Sequence, residues 1–253
     1  MTSKYDPGWA RAGRDRHAQR MLPLRPAGPI VRTRRAVALH WGRRLGQLYL
    51  GLVLYGVSAA MLVQAGLGLG PWDVLHQGIA FGLDREIGTV NIAVGALVLL
   101  LWIPLRQRPG LGTVSNVLVV GLAMNATLAL LPVQHGLAAR VAMLVAAVLL
   151  CGLATGMYIC AGFGTGPRDG LMTGIARRTG ISIRLSRTIV ELAVLLTGWL
   201  LGGTVGVGTA LFAVTIGPVA QLFLRLFARF GLDSSNVISP AHEVAEPVMA
   251  RPD

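Results

Sequence analysis

Ala65-Gly66-Leu67-Gly68-Leu69-Gly70-Pro71-Trp72-Asp73 and Ala161-Gly162-Phe163-Gly164-Thr165-Gly166-Pro167-Arg168-Asp169 are two copies of one pattern, set 96 residues apart. Three alternating glycines run into a proline, and an acid follows two residues later. The register holds without gaps on either side. Ten of sixteen positions are identical between 65–80 and 161–176, Gly56 aligns with Gly152, Gly110-Leu111-Gly112-Thr113 with Gly206-Val207-Gly208-Thr209, and Gly121 with Gly217. Recurrence at one fixed offset marks an internal duplication, and it decides how the rest of the chain divides.

The chain around the motifs is very apolar. Of 253 residues 53% are hydrophobic and only 13% charged, with a mean hydropathy of +0.62, against roughly 25% charged in an average soluble domain. Several apolar runs reach about 20 residues, the length a helix needs to cross a bilayer. The runs are continuous rather than alternating, which argues against a β-barrel. The reading is an all-α polytopic membrane protein. Cys151 and Cys160 fall in one expected helix, roughly 13 Å apart, too far for a disulfide, and read as packing residues.

The net charge of +12 is concentrated. Eleven of the 23 cations lie before residue 45, opposed there only by Asp6 and Asp15. Residues 1–42 read as a basic, disordered cytoplasmic tail that leans on anionic lipid. A nucleic-acid arm is a poorer reading of the same charges in so apolar a chain, and the apolar stretch after the tail is too long for a cleavable signal peptide. Residues 231–253 read as a second disordered tail.

Between the tails, 43–230 form the transmembrane domain, with repeat one at 43–136 and repeat two at 137–230. Six spans are expected, at about 45–64, 88–105, 113–131, 137–160, 184–201 and 207–227. Two short pieces, 71–83 and 167–179, are only about 20 Å long against a core of ~30 Å, and read as re-entrant half-helices. Three spans per half force the second half to enter upside down, giving inverted repeats. The cations agree: with the basic tail inside, Arg106, Arg108, Arg168, Arg177, Arg178, Arg184, Arg187, Arg225 and Arg229 all fall inside, and Arg85 is the exception. The alternative is eight spans in parallel repeats, which puts Arg106 and Arg108 outside.

Pro71 and Pro167 suit a first helical position, with Gly70 and Gly166 as caps. Gly66, Gly68, Gly162 and Gly164 would then be non-helical backbone at membrane depth, tolerated only where it is buried in protein or lines a cavity. Asp73 and Asp169 stand at the third helical position. There they can satisfy free N–H groups and favour the helix dipole, or hold a cation or proton in a pathway. Asp73, His76 and Gln77 share one helical face. Trp72 reads as an interface anchor, and its counterpart Arg168 as the partner of a neighbouring acid or a marker of the cytoplasmic side. Glu191 has Arg187 one turn earlier and reads as an ion pair, with a gating or proton role as the alternative. Gln64, Asn91, Asn116, Asn125 and Gln221 are explained by hydrogen bonds between helices. No metal-ligand spacing, nucleophile elbow or phosphate loop occurs, so no enzyme, metal or cofactor is expected.

The Gly-Pro-Trp-Asp at 70–73, its echo Gly-Pro-Arg-Asp at 166–169 and the Gly-x-Gly-Thr turns at 110 and 206 resemble the bacterial YczE/YitT-like integral membrane proteins. The resemblance covers about 45 to 230. It implies a multi-pass protein of the bacterial cytoplasmic membrane and carries over no catalytic or binding residues. The expected function is a secondary transporter for a small solute bound between the motifs, with Asp73, Asp169 and Glu191 as coupling groups. A non-transporting scaffold or regulator is the alternative. The sequence leaves the oligomeric state open.

Overall fold

The computed structural model describes residues 34–230 and residue 232, with side chains from Trp41 onward. The expected tails at 1–33 and 233–253 lie outside the described residues. The main compact unit begins at His40. Every element described is a helix: α1 (Arg34–Ala65), α2 (Pro71–Leu83), α3 (Ile87–Trp102), α4 (Leu111–Leu130), α5 (Leu137–Cys160), α6 (Pro167–Thr179), α7 (Ile183–Leu200) and α8 (Val207–Arg229). The starts of α6, α7 and α8 follow those of α2, α3 and α4 by 96 residues each.

The short helices fall where the motifs put them. Pro71 and Pro167 open them after an extended Gly70 and Gly166, because a first-turn proline gives up an N–H that has no partner anyway. Both end on a left-handed residue, Asp84 in the first copy and Gly180 in the second, whose N–H closes on Ala80 and Ala176. Two boundaries differ from expectation. Helix α1 starts at Arg34, inside the stretch read as tail, since helix propensity carries past the apolar part that begins at Trp41. Helix α3 stops at Trp102 rather than near 105: Pro104 has no N–H to carry the ladder on, and the chain turns through Arg106 in the left-handed region.

Four helices are long and apolar enough to cross a membrane: α1 from Trp41, α4, α5 and α8. Helices α2 and α3, bent by 112° at their junction, would together make a fifth. Helix α3 alone has 16 residues, and α7 carries Arg184, Arg187 and Glu191, so neither reaches that standard by itself. Large apolar side chains cover the outside, among them Leu122, Leu149, Leu192, Val214 and Leu222. For a chain with these helices such a surface faces lipid. The molecule is an all-helical membrane protein.

Packing crosses between the halves. Helix α2 lies on α7, and α6 on α3. Gly78 touches Gly198 and Leu201, while Gly174 touches Leu105. Helix α5 packs on α8 at Gly152, and α1 approaches α4 at Gly56 and α5 at Gly51. Two core clusters use the same four positions of the two halves in exchange. One holds Leu62 and Ala65 of α1 against Leu144 and Val148 of α5; the other holds Leu48 and Leu52 of α1 against Tyr158 and Ala161.

Each glycine stretch is held by the opposite half. Gly66 and Gly162 have φ of 60° and 71°, Gly68 and Gly164 of 117° and 119°, all in the region that favours glycine. Arg44 Nε of α1 donates to Ala161 O at 2.9 Å, and Arg140 Nε of α5 donates to Ala65 O at 2.7 Å. The two helices therefore run antiparallel. Gly112 N at the start of α4 donates to Phe163 O, and Gly208 N at the start of α8 to Leu67 O, both at 2.8 Å. Thr113 Oγ1 accepts from Gly110 N and donates to Thr165 O. These donors replace the water that lipid cannot supply.

One added methyl group should separate the packed glycines from the open ones. In Gly88→Ala the new carbon meets Gly121 O and the Asn125 amide. Overpacking of about 1–3 kcal/mol should lower the midpoint of thermal unfolding by about 3–10 °C. Gly82→Ala, with nothing within 4 Å, should stay within about 2 °C. Equal losses in both would contradict the contact. Arg44→Met and Arg140→Met each remove a donor from a loop carbonyl, and each should cost about 1–3 kcal/mol in the same assay. Unchanged unfolding in both would mean that those carbonyls find other donors.

Candidate functional site

Because the two glycine stretches break their helices and cross into opposite halves, the starts of α2 and α6 converge. They enclose a cavity of about 330 Å³. Its wall includes Trp72, Asp73 and His76 from α2, and Arg168, Asp169 and Met172 from α6. Arg187 and Glu191 of α7 complete its charged lining. All six residues expected in a pathway, and the motif residues Gly70, Pro71, Gly166 and Pro167, therefore border one space. Gly66, Gly68, Gly162 and Gly164 stand behind it as the clamped loop.

The charged groups pair across the halves. Arg168 Nη2 of the second copy lies 3.8 Å from Asp73 Oδ1 of the first and donates to Asn91 Oδ1 of α3 at 3.1 Å. Its guanidinium sits 5.1 Å from the centre of the Trp72 ring, a cation–π arrangement. Trp72 is thus no interface anchor: it is 7% exposed and packs with Val98, Trp102, Leu171 and Met172. The reading of Arg168 as the partner of an acid fits, with the acid drawn from the other repeat.

The two motif acids have different company. Neither carboxylate accepts a hydrogen bond from a first-turn N–H among the described residues, so their capping role is reduced to their place in the helix dipole. Asp73 is buried, with His76 Nδ1 at 3.5 Å and Arg168 beside it. Asp169 accepts from Tyr158 Oη at 3.3 Å and has no cation within 4 Å among the described residues. Glu191 pairs with Arg187 at 2.9 Å, as the spacing on α7 predicts. Gln77 turns away to accept from Thr204 N at 2.7 Å. Two buried atoms on this wall, Trp72 Nε1 and His76 Nδ1, make no hydrogen bond, an uncommon condition for buried polar groups.

Some of the site was assigned elsewhere by sequence reasoning. Asn91 makes the hydrogen bond between helices expected of it, and its partner is the Arg168 guanidinium of the site. The repeat equivalent of Asn91 is Arg187, so two polar residues at equivalent in-span positions were the available signal. Asn125 does bond between helices, accepting from Gly88 N at 2.8 Å, and Gln64 donates to Leu131 O at 2.6 Å. Gln221 and Asn116 line the cavity instead. Tyr55 and Tyr158 also line it, as an edge-to-face pair 6.3 Å apart. Their repeat partners are Cys151 and Leu62, so the pattern could not single them out. Arg44 and Arg140, by contrast, occupy equivalent positions, which a search at the 96-residue offset could have found. Cys151 and Cys160 are both buried.

Comparison with known proteins agrees with the motif. A Haemophilus influenzae protein named "Uncharacterized protein" is 40% identical over 203 residues, covering 79% of this chain and 93% of its own. The "Uncharacterized membrane protein YczE" of Bacillus subtilis is 29% identical over 178 residues, 70% of this chain and 83% of its own. The Bacillus subtilis "Uncharacterized protein YyaS" is 23% identical over 191 residues, 74% and 95% of the two chains. No solved structure matches. The family of unknown function DUF6198 matches residues 42–225, a stretch that holds both motifs, α2 to α7 whole and most of α1 and α8, and the chain belongs to that family.

Proposed function

We propose that the chain is a secondary transporter of the bacterial cytoplasmic membrane, moving a small solute through the cavity between its two motif helices. The observation that carries this reading is the cavity itself: a space of about 330 Å³ bordered by Asp73, Asp169, Glu191, Arg168 and Arg187 inside a bundle whose outside is apolar. Ionisable groups are costly at membrane depth, and a fold that needed only packing could fill the same volume with apolar side chains. Broken helices whose starts meet at the interface of two repeats form substrate sites in many transporters; here this is an argument by analogy of architecture.

The architecture proposed is a pair of inverted repeats, each of three spans and one re-entrant half-helix. The antiparallel run of α1 and α5, the common 96-residue offset of the helix starts and the exchanged loop contacts support it. Helices α3 and α7 count as spans in this reading, α7 with Arg187 and Glu191 bordering the cavity. Both termini lie in the cytoplasm, where the cations gather, with Arg85 and also Arg140 on the outer side. Arg140 is held there by Ala65 O rather than by the charge rule. Asp73, Asp169 and Glu191 are the groups placed to couple transport to an ion.

Two measurements test this. Protein reconstituted in liposomes should take up at least one compound from a radiolabelled panel of amines, amino acids, sugars and organic acids, faster under an imposed pH gradient. Asp73→Asn, which strips Arg168 of its carboxylate, should cut that uptake by about tenfold or more, since a lone buried charge replaces a pair. A panel without protein-dependent uptake removes the transport reading. For the topology, a single cysteine placed at Gln107, in a variant lacking Cys151 and Cys160, should react with a membrane-impermeant maleimide only after cells are opened. Labelling in intact cells would favour eight spans and parallel repeats.

A further inference from the structure

The exchange between the halves leaves one carboxylate of the cavity without its counterpart. Asp73 of the first copy receives its cation from residue 168 of the second. Under the same exchange Asp169 should receive one from residue 72, but residue 72 is tryptophan. The position equivalent to Asn91 is Arg187, and that cation is engaged by Glu191 at 2.9 Å. Of the three acids lining the space, two are therefore matched by Arg168 and Arg187, and among the described residues Asp169 holds only a hydroxyl, that of Tyr158.

We infer that the cavity binds a small organic cation, its ammonium group on Asp169 beside the edge-to-face pair of Tyr55 and Tyr158. This rests on the transporter reading for its setting and deepens it by naming the solute class. Three features carry it. An unmatched carboxylate in a confined site recruits positive charge. Aromatic walls favour an alkylated ammonium over a bare metal ion, through ring faces that attract cations. The site already shows this use of its walls, since the Arg168 guanidinium rests on Trp72. The chain thereby holds one cation of its own at the first acid, and the second acid is the place for one from outside. Trp72 Nε1, 7% exposed as a residue and lacking a partner, adds a condition: a solute with a hydroxyl or carbonyl acceptor would satisfy that donor. A free anion is disfavoured because both cations of the wall are already paired.

Choline, which combines a quaternary ammonium with a hydroxyl, is a suitable probe. The full chain in lipid nanodiscs should bind radiolabelled choline saturably in equilibrium dialysis. The uncharged isostere with carbon in place of nitrogen should compete at least about tenfold more weakly. Asp169→Asn should weaken choline binding by about tenfold or more while thermal unfolding stays unchanged, and Asp169→Glu should recover part of it. Equal competition by the isostere, wild-type binding in Asp169→Asn, or no choline binding at all would overturn the inference. Should Asp169→Asn fail to fold, the choline–isostere comparison on the native chain decides alone. The two readings fail separately. Choline that binds through Asp169 but is not carried into liposomes leaves this site and removes transport. Uptake of a neutral or anionic solute that choline does not inhibit leaves transport and removes this site.

Discussion

Backbone amides at membrane depth need a protein partner, because lipid has no hydrogen bonds to offer. That requirement shapes this molecule. The glycine stretches at 65–70 and 161–166 break their helices and expose carbonyls that no helix satisfies. Each set is met from the other half, by an arginine side chain and by the first N–H groups of a helix. Those donors can arrive only if α1 and α5 lie antiparallel and α4 and α8 begin beside the loops they serve. The crossing of α2 onto α7 and α6 onto α3 follows from the same arrangement. The cavity is the space left where the two broken ends meet.

Much of this could be read from residues alone. The proline and glycine at each motif located the short helices to the residue, since both act through backbone geometry that is local. Helix α5 was equally plain, apolar along nearly its whole length apart from Arg140 in its first turn, with a polar break before it. The ends of α1 and α3 were less so. Apolarity says where a helix can enter lipid, not where helical backbone ceases, and Pro104 acts through its missing N–H rather than through the apolar pattern. The acids of the site were visible as rare charges in an apolar chain. Their partners were not, because pairing across the halves depends on how the repeats dock, which no spacing within one helix encodes. Trp72 shows the limit: an aromatic near a helix start fits a membrane interface by type, and only the packing of α3 and α6 around it places it in the core.

The repeats are alike where the backbone is concerned and unlike where the cavity is lined. The left-handed glycines, the capping positions and the clamping arginines all persist in both halves. Trp72 corresponds to Arg168, Asn91 to Arg187 and His76 to Met172 at the 96-residue offset. Structural demands are the same in both halves, because each loop must be satisfied in the same way. A binding surface has no such obligation to be symmetric when what it holds is not. The divergence is therefore concentrated where side chains meet the space rather than where they meet backbone.

The loop carbonyl of Leu67 and its donor, Gly208 N, stand at opposite ends of the membrane domain in sequence. During synthesis the first glycine stretch leaves the ribosome long before the helix that completes it. Arg140 reaches the same loop from an earlier point in the chain, at the start of α5. Until α7 is made, α2 lacks its platform, and until α8 is inserted the first loop keeps an open seam. Contacts so distant in the chain close slowly and late. Of the described helices the last to be made is therefore the one that seals the first loop, so that loop's backbone is completed only when nearly all of the bundle has been synthesised.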